Sequence, residues 1–534
     1  MFRKLLIAPI CITILLYTCA CADNKMPMVE RDTTITVTTA FNELFIDSVY
    51  LDSFLLSPNQ YKAFNKQYRD LYSSRNYEFA WFDSTGLTEQ AHNFYNLQNN
   101  HITTTGDSAL YNDALHSLYD SVGAYPIIPD SEKQRVLQLE MLLTGQFFRY
   151  AAKLYKGAEI NPAELGWYIP RKKIDLTALL DSVINNGKED PEQYVHINRL
   201  YKSLETELAR YIELEKKEIT QTIPKAKKSL RKGDTSAVVP LVKNRLALLQ
   251  DELFANNSNL YDADLEQAVK TYQRRNGLTE DGLISNNVIE ELNVPLKRRV
   301  QQILVNMERA RWLPVQRGSN FVMVNIPEFK LHVLNNSQQE LEMKVIVGSA
   351  LHNTVIFTAQ LQYIVFSPYW NVPPSITRNE ILPAIRRNRN YLSRNHMEIT
   401  GYVNGLPEIR QKPGEHNSLG LVKFLFPNNY NIYLHDTPGK HLFNQAGRGF
   451  SHGCIRIEEP KKFAEYLLRN EPDYTSEVID SLMHLGKEKW VVLKKPLPVF
   501  LVYFTAWVDQ DGVLNFRKDF YGHDEKMMKK LFNK

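Results

Sequence analysis

His435 and Cys454 are the residues of this chain best suited to do chemistry. Each borders a short apolar alternation, Asn431–Leu434 and Ile455–Ile457, and the loop from Asp436 to Phe450, with Gly439, Gly447 and Gly449, joins them. The pattern predicts two strands and a loop pinned between them, and such long loops are more often functional than filler. If the strands pair, a base meets a thiol. At a reference pKa of about 8.5 only a few per cent of a thiol is ionised near neutrality. A neighbouring imidazole can take the proton and hold the pair as thiolate–imidazolium. His435, arriving from the partner strand, suits the base role better than His452. The latter lies two residues before Cys454 and would share its sheet face in an extended segment. Gly453 lets backbone N–H groups come close to a reacting carbonyl, so the N–H groups of Gly453 and Cys454 form a candidate oxyanion hole.

Rival chemistries use the same stretch. Gly449-Phe450-Ser451-His452-Gly453 fits the G-x-S-x-G elbow, which would make Ser451 the nucleophile. That elbow needs a helix directly after it, whereas Ile455-Arg456-Ile457 alternates like a strand. His435, His441, His452 and Cys454 show no compact metal-ligand spacing, so neither a metal nor another cofactor is expected.

The other cysteines sharpen the case. Cys11, Cys19 and Cys21 lie in the leader, so the body holds Cys454 alone. Arg3 and Lys4 precede an apolar run from Leu5 to Ala20, too short for a membrane span and of the form of an export signal. Cys21 or Cys19 stands where a lipoprotein leader would place its acylated residue, which would leave the body in the cell envelope, attached to a membrane only through its N-terminal lipid or anchor. In an oxidising compartment a single leftover cysteine is a free thiol to suspect.

The 534 residues are 43% hydrophobic and 23% charged, ordinary globular usage that excludes wholesale disorder. The net charge of +4 is mild and spread along the chain, so no nucleic-acid partner is expected.

The elements that must position the site follow from periodicity. Residues 1–21 form the leader and 22–40 a Thr-rich tether. Residues 41–223 read as a helical scaffold: Ser131-Glu132-Lys133-Gln134 opens a helix, Gly157 closes it, and Ile197, Leu200, Leu204, Leu208 and Tyr211 line one face of another. Residues 224–295 read as a three-helix unit, with stripes at Val238–Leu249, Leu265–Tyr272 and Val288–Leu292. From Arg309 the period changes to two, predicting a mainly β domain over 296–500 with strands at Phe321–Ile326, Phe329–Leu334, Met343–Val347, Tyr363–Phe366, Phe424–Phe426 and Trp490–Leu493. Helical signals return at Asn379–Arg387 and Lys461–Leu468. The Pro- and Arg-rich interval 371–413 is expected as an insertion over one end of the sheet, and 501–534 as an extension packing on the scaffold or the β domain. The fold class is therefore multidomain α+β.

Two stretches carry a family resemblance. LRKGD followed by YDADLEQAVKTYQRRNGLTEDGLI resembles the type 1 peptidoglycan-binding domain. HDTP with FSHGCIR resembles the active-site signature of L,D-transpeptidases with a YkuD-type catalytic domain. SPYWNVPPSITRNEILP, VKFLFPNNYNIYLHDTP and FTAWVDQDGVLNFRKDFYG are similar to the YcbB-like subfamily, which carries a scaffold and a peptidoglycan-binding domain before the catalytic one. The resemblance implies that 371–413 is a capping subdomain and that the partners are peptidoglycan stem peptides and glycan. It implies that Cys454 attacks the carbonyl of the third stem residue, expels the terminal D-alanine and passes the acyl group to a neighbouring amine, making a 3→3 cross-link. His435 then matches the general base, and Ser451, His452, Gly453 and Arg456 the rest of the signature, with Arg456 orienting the site or binding a substrate carboxylate. Tyr433 and Trp370 are candidate pocket aromatics.

Overall fold

The computed structural model describes residues 44–83, 85–105, 108–122, 128–157, 160–170, 175–185, 199–218, 222–250, 254, 257–314, 320–336 and 338–532. The leader and tether with Cys11, Cys19 and Cys21, and Ile197 of the predicted helix face, lie outside the described residues. Among the described residues no helix is long and apolar enough to cross a membrane. The chain divides into two compact units, Met1–Thr88 with Ser117–Thr144, and Glu89–His116 with Gly145–Lys534.

The first unit carries helices Ser48–Leu56 and Asn65–Ser74 and the short hairpin of β1 (Phe82–Asp83) and β2 (Gly86–Leu87). Its core is aromatic, with Tyr68, Tyr72 and Trp81 fully buried. A buried carboxylate organises it: Glu140 accepts from the Tyr72 hydroxyl at 2.7 Å and from the N–H groups of Ala80 and Trp81 at 2.7 and 3.0 Å. Burial raises the Glu140 pKa to about 7, and these three donors oppose it.

In the second unit, the amphipathic helix Arg199–Lys216 buries Leu204, Leu208 and Tyr211 of the stripe read from the sequence; Leu200 is half-buried, and Tyr201 and Leu214, outside that stripe, are buried as well. Helices Val238–Gln250, Ala263–Arg275 and Asn286–Leu292 follow. Asp262 and Ser285 cap the second and third by accepting from Leu265 N and Val288 N. The next helix, Leu296–Arg311, buries a polar face of Arg299, Gln302, Asn306 and Arg309. Arg299 pairs with Glu291, and the C-terminal segment satisfies the other three. Gln302 donates to the Thr505 and Arg517 carbonyls, Asn306 to Thr505 Oγ1, and Arg309 pairs with buried Asp524 at 2.5 Å.

The β region contains β3 (Phe321–Asn325), β4 (Lys330–Asn335), β5 (Gln338–Gly348), β6 (Thr358–Phe366), β7 (Trp370–Asn371), β8 (Met397–Val403), β9 (Leu406–Gln411), β10 (Val422–Leu425), β11 (Leu434–His435), β12 (Gly449–Ser451), β13 (Ile455–Ile457), β14 (Lys489–Val502), β15 (Ala506–Val508) and β16 (Leu514–Phe516). Nine of them form one sheet in the order β12-β5-β13-β11-β10-β6-β14-β3-β4, and β4 also pairs with β5. Through its centre runs a wholly apolar row, Val491, Ile364, Phe424, Leu434 and Ile455, each directly opposite the next and all buried. Helix Pro460–Leu468 packs on this face, with the Phe463 ring 4.8 Å from that of Phe424. Strand alternation therefore sends the residues on either side of that row to the opposite face.

The expected insertion is a small body of its own. Strands β7, β9 and β8 form a three-stranded sheet, and the turns from Pro374 to Arg394 are helical. Val372, Ile381 and Ile409 make its core.

Candidate functional site

The two predicted strands do pair, and they run parallel, with Leu434 opposite Ile455 and His435 opposite Arg456. Continued by one residue, that register sets Tyr433 beside Cys454, and the Ile455 N–H donates to the Tyr433 carbonyl at 3.1 Å. Tyr433, His435, Cys454 and Arg456 thus share the face opposite the apolar row. Cys454 and His435 are diagonal neighbours on adjacent strands, a relation that puts residues about 7–8 Å apart and within reach of long or aromatic side chains.

The loop before Cys454 is held by its own hydroxyl. Ser451 is buried; its Oγ donates to the Cys454 carbonyl at 2.5 Å and accepts from the Gly453 N–H at 3.1 Å. Gly453 turns the chain with φ +115°, a conformation L side chains rarely adopt. This accounts for Ser451 as a turn-forming residue, and the strand that follows is β13, not the helix a nucleophile elbow requires. It also alters the oxyanion expectation. The Gly453 N–H is engaged by Ser451, while the Cys454 N–H has no acceptor among the described residues.

His452 departs from the expected geometry. The turn at Gly453 breaks strand alternation, and its ring lies 4.8 Å from that of His352, with Nε2 2.9 Å from Glu380 Oε1 of the insertion. Trp370 packs against the insertion's core of Val372, Ile381 and Ile409. The structure thus brings Tyr433, His435 and Arg456 together with the thiol and directs His452 and Trp370 towards the insertion. Among the described residues no three His, Cys, Asp or Glu side chains converge as a metal site.

Cys454 is a free thiol whose Sγ donates to the Asn431 carbonyl at 3.5 Å. Burial raises its pKa, and the N–H and hydroxyl of Tyr433 and the charge of Arg456 pull it back. His435 is buried, and its pKa is pushed down to about 3, first by burial and then by Arg456, against the carbonyls of Asp436 and Leu419. Both groups therefore rest neutral near pH 7, unlike the thiolate–imidazolium pair that proximity alone suggests. The His435 Nδ1 lies 2.5 Å from the Asp436 carbonyl, which can only accept, so Nδ1 carries the proton and Nε2 keeps its lone pair. The Asp436 carboxylate does not touch the ring; it accepts from Leu421 N–H at 2.9 Å and pairs with Lys440 at 2.7 Å. Gly420, at φ +62°, is what admits it: a Cβ there would stand 2.3 Å from Asp436 Oδ2.

Arg456 is half-buried, and among the described residues it pairs with no carboxylate and its Nε has no hydrogen-bond partner. Burial lowers its pKa and the Cys454 charge opposes that. A half-buried guanidinium left unpaired is a ready anion site.

Sequence reasoning missed the brace behind the loop. Thr354 Oγ1 donates to the Gly453 carbonyl at 2.8 Å and accepts from Gly348 N at 2.9 Å. The Tyr521 hydroxyl donates to the Gly348 carbonyl at 2.6 Å and accepts from Thr354 N at 3.1 Å. No local pattern marks Thr354, and although Tyr521 lies in the C-terminal stretch quoted for its resemblance, nothing local ties it to this loop. They meet the loop only through long-range packing.

With this geometry in hand, similarity to known proteins is informative. Residues 319–479 match the YkuD family, the L,D-transpeptidase catalytic domain. Residues 66–216 match a scaffold domain, and 235–292 a "Putative peptidoglycan binding domain". The match to the L,D-transpeptidase catalytic domain thus falls on the β region, in a chain that also matches the scaffold and the peptidoglycan-binding type of domain. The chain is 32% identical over 243 residues to the "Putative L,D-transpeptidase" of Haemophilus influenzae, covering 42% of this chain and 49% of that one. It thus spans about half the length of the curated relative it matches. Among solved structures it is similar to the L,D-transpeptidase of Stackebrandtia nassauensis (13% identity, 52% of this chain and 97% of that one, TM-score 0.22). The L,D-transpeptidase of Xylanimonas cellulosilytica is a second (14% identity, 52% and 100%, TM-score 0.17). At such TM-scores these two structures carry no argument.

Proposed function

We propose that the protein is a peptidoglycan L,D-transpeptidase acting through a thioester on Cys454. The observation that carries this reading is one sheet face holding a free thiol, a neutral buried imidazole and an unpaired guanidinium, within a domain of the YkuD family. Nε2 of His435 takes the thiol proton as Sγ attacks the carbonyl of the third stem residue. The Cys454 N–H supports the oxyanion, the bond to D-alanine breaks, and the amine leaves with the proton from His435. A neighbouring stem's amine then attacks the thioester, forming the 3→3 cross-link and returning the thiol. Arg456 holds a carboxylate of the substrate, and Tyr433 steadies the developing thiolate through its N–H and hydroxyl. In this reading residues 41–223, 224–295 and 296–500 are the scaffold, glycan-directed and catalytic domains. The leader delivers them to the envelope through Cys21 or Cys19.

Purified protein incubated with tetrapeptide-stem muropeptides tests the reading, with products resolved by mass. Cross-linked dimers are expected. Tripeptide monomers alone would mean that water takes the thioester and the enzyme is an L,D-carboxypeptidase. No turnover, with glycan still bound, would make the chain a wall anchor.

A further inference from the structure

The face that carries Cys454 does not end at the catalytic pair. The ladder register places Trp490, Val365, Lys423, His435 and Arg456 in one row across β14, β6, β10, β11 and β13. Two residues along, Val492 and Tyr363 lie in the row that continues through Leu425 to Tyr433 and Cys454. The far end of this face is uncovered: Trp490 is 49% exposed and Val492 67%, whereas Val491 between them is buried on the core face. Large apolar groups left open on the face that carries a reaction site mark binding surface.

The aromatic surface is also fixed in place. The Trp490 indole N–H donates to Glu488 Oε2 at 3.0 Å, and the Tyr363 ring meets it edge-on at 5.8 Å. Lys423 stands with Nζ 5.8 Å from the indole centroid and 3.4 Å from Glu488 Oε1. A flat aromatic plane rimmed by a carboxylate and an ammonium matches a ring with one apolar C–H face and a hydroxyl-bearing edge.

From this arrangement, and resting on the acyl-transfer reading above, we propose that Trp490, Val492 and Tyr363 form a subsite for the amino-sugar ring that bears the donor stem peptide. The span agrees. At about 4.8 Å per strand, β6 lies roughly 14 Å and β14 roughly 19 Å from the strand of Cys454. Three extended residues cover about 10–11 Å, and the ether link between stem and sugar adds to that. A donor lying across β11 and β10 with its third carbonyl at Sγ thus brings its sugar onto the Tyr363–Trp490 surface. Glu488 and Lys423 meet the hydroxyl and amide edge.

Two readouts test it. The first is the preference for disaccharide-tetrapeptide over the same tetrapeptide without sugars, as the ratio of kcat/KM for Cys454 acylation. Trp490→Ala is expected to lower that ratio about tenfold, the scale of one lost stacking contact; an unchanged ratio overturns the subsite. The second does not depend on turnover. Titrating the Cys454→Ser protein with the disaccharide alone should shift the indole N–H resonance of Trp490 and leave the other indoles in place. No shift at Trp490 overturns the subsite. If the wild type acylates with neither substrate while Trp490 still responds to the disaccharide, the acyl-transfer reading has failed and the sugar site stands.

Discussion

Two histidines buried in one sheet are driven in opposite directions. For His332 on β4, burial alone would lower the pKa, but the Glu328 carboxylate 3.0 Å from Nε2 outweighs it and the pKa is raised. Glu328 is held in turn at about 2, its own burial overcome by the imidazolium. For His435 on β11, burial and Arg456 act together and push the pKa to about 3. The difference is a carboxylate. The one adjacent to His435, on Asp436, is turned away to Leu421 N–H and Lys440, and only its carbonyl reaches the ring. One imidazole has its cation favoured by a structural ion pair, the other is kept neutral beside a thiol and free to accept a proton.

The sharpest way to break this contrast is to remove the groups that only the site would need. Cys454→Ala is expected to abolish acylation and D-alanine release entirely, measured by intact-protein mass and amino-acid analysis. If Ser451→Ala did so and Cys454→Ala did not, the serine-hydrolase reading would be right. His435→Gln should lower the acylation rate by about 10²–10⁴, the usual contribution of a general base, in single-turnover kinetics. Glu328→Gln, by contrast, should cost stability and not chemistry: about 3 kcal/mol, as when a buried ion pair loses one partner, read by denaturant melts.

The two histidines should also give opposite pH signatures in thermal melts. Glu328, with its lowered pKa, contributes stability above its unfolded value of about 4.3, and this is lost as pH falls towards about 2. His332, with its raised pKa, contributes fully below about 6.5, and this is lost as pH rises through the folded value. Their joint contribution therefore peaks between those limits, and Glu328→Gln should flatten that peak. His435 runs the other way: the unfolded chain binds the proton first, so stability falls from about pH 6.5 down to about 3, and His435→Gln should resist acid better than the wild type over that window. The smallest effect belongs to the brace. Thr354→Val removes the bonds to Gly453 O and Gly348 N and is expected to cost about 1 kcal/mol each. Acylation should slow a few-fold, with KM nearly unchanged if the brace positions the loop rather than the substrate.

Much of this site was legible because strand alternation is a local signal. The Ile455–Ile457 strand stands where its alternation put it, and β10 (Val422–Leu425) begins two residues before the predicted Phe424–Phe426. Other features failed for physical reasons. The predicted Asn431–Leu434 strand shrinks to Leu434–His435 because Asn431 takes φ +55°, a left-handed turn that places its carbonyl on the thiol. Strand β5 begins at Gln338, five residues before the predicted Met343, because its first three residues, Gln338 to Glu340, are exposed and polar and carry no apolar alternation. Strand β14 runs to Val502 past Pro496 and Pro498, which argue against a strand; the register shift between Val492 and Leu497 absorbs Pro496, while Pro498 stays in register opposite Gln360. The neutrality of His435, the turn that directs His452 to Glu380, and the Thr354–Tyr521 brace are products of tertiary burial and have no local signature.

The account rests on Cys454 taking the acyl group with release of D-alanine. Rapid quenching of the protein with a tetrapeptide-stem muropeptide, followed by proteolysis and peptide mass mapping, tests this most directly. The account predicts one acyl adduct, of the stem minus D-alanine, on the peptide containing Cys454, formed in step with one equivalent of free D-alanine. An adduct on Ser451, or D-alanine released by the Cys454→Ala protein as fast as by the wild type, would contradict it.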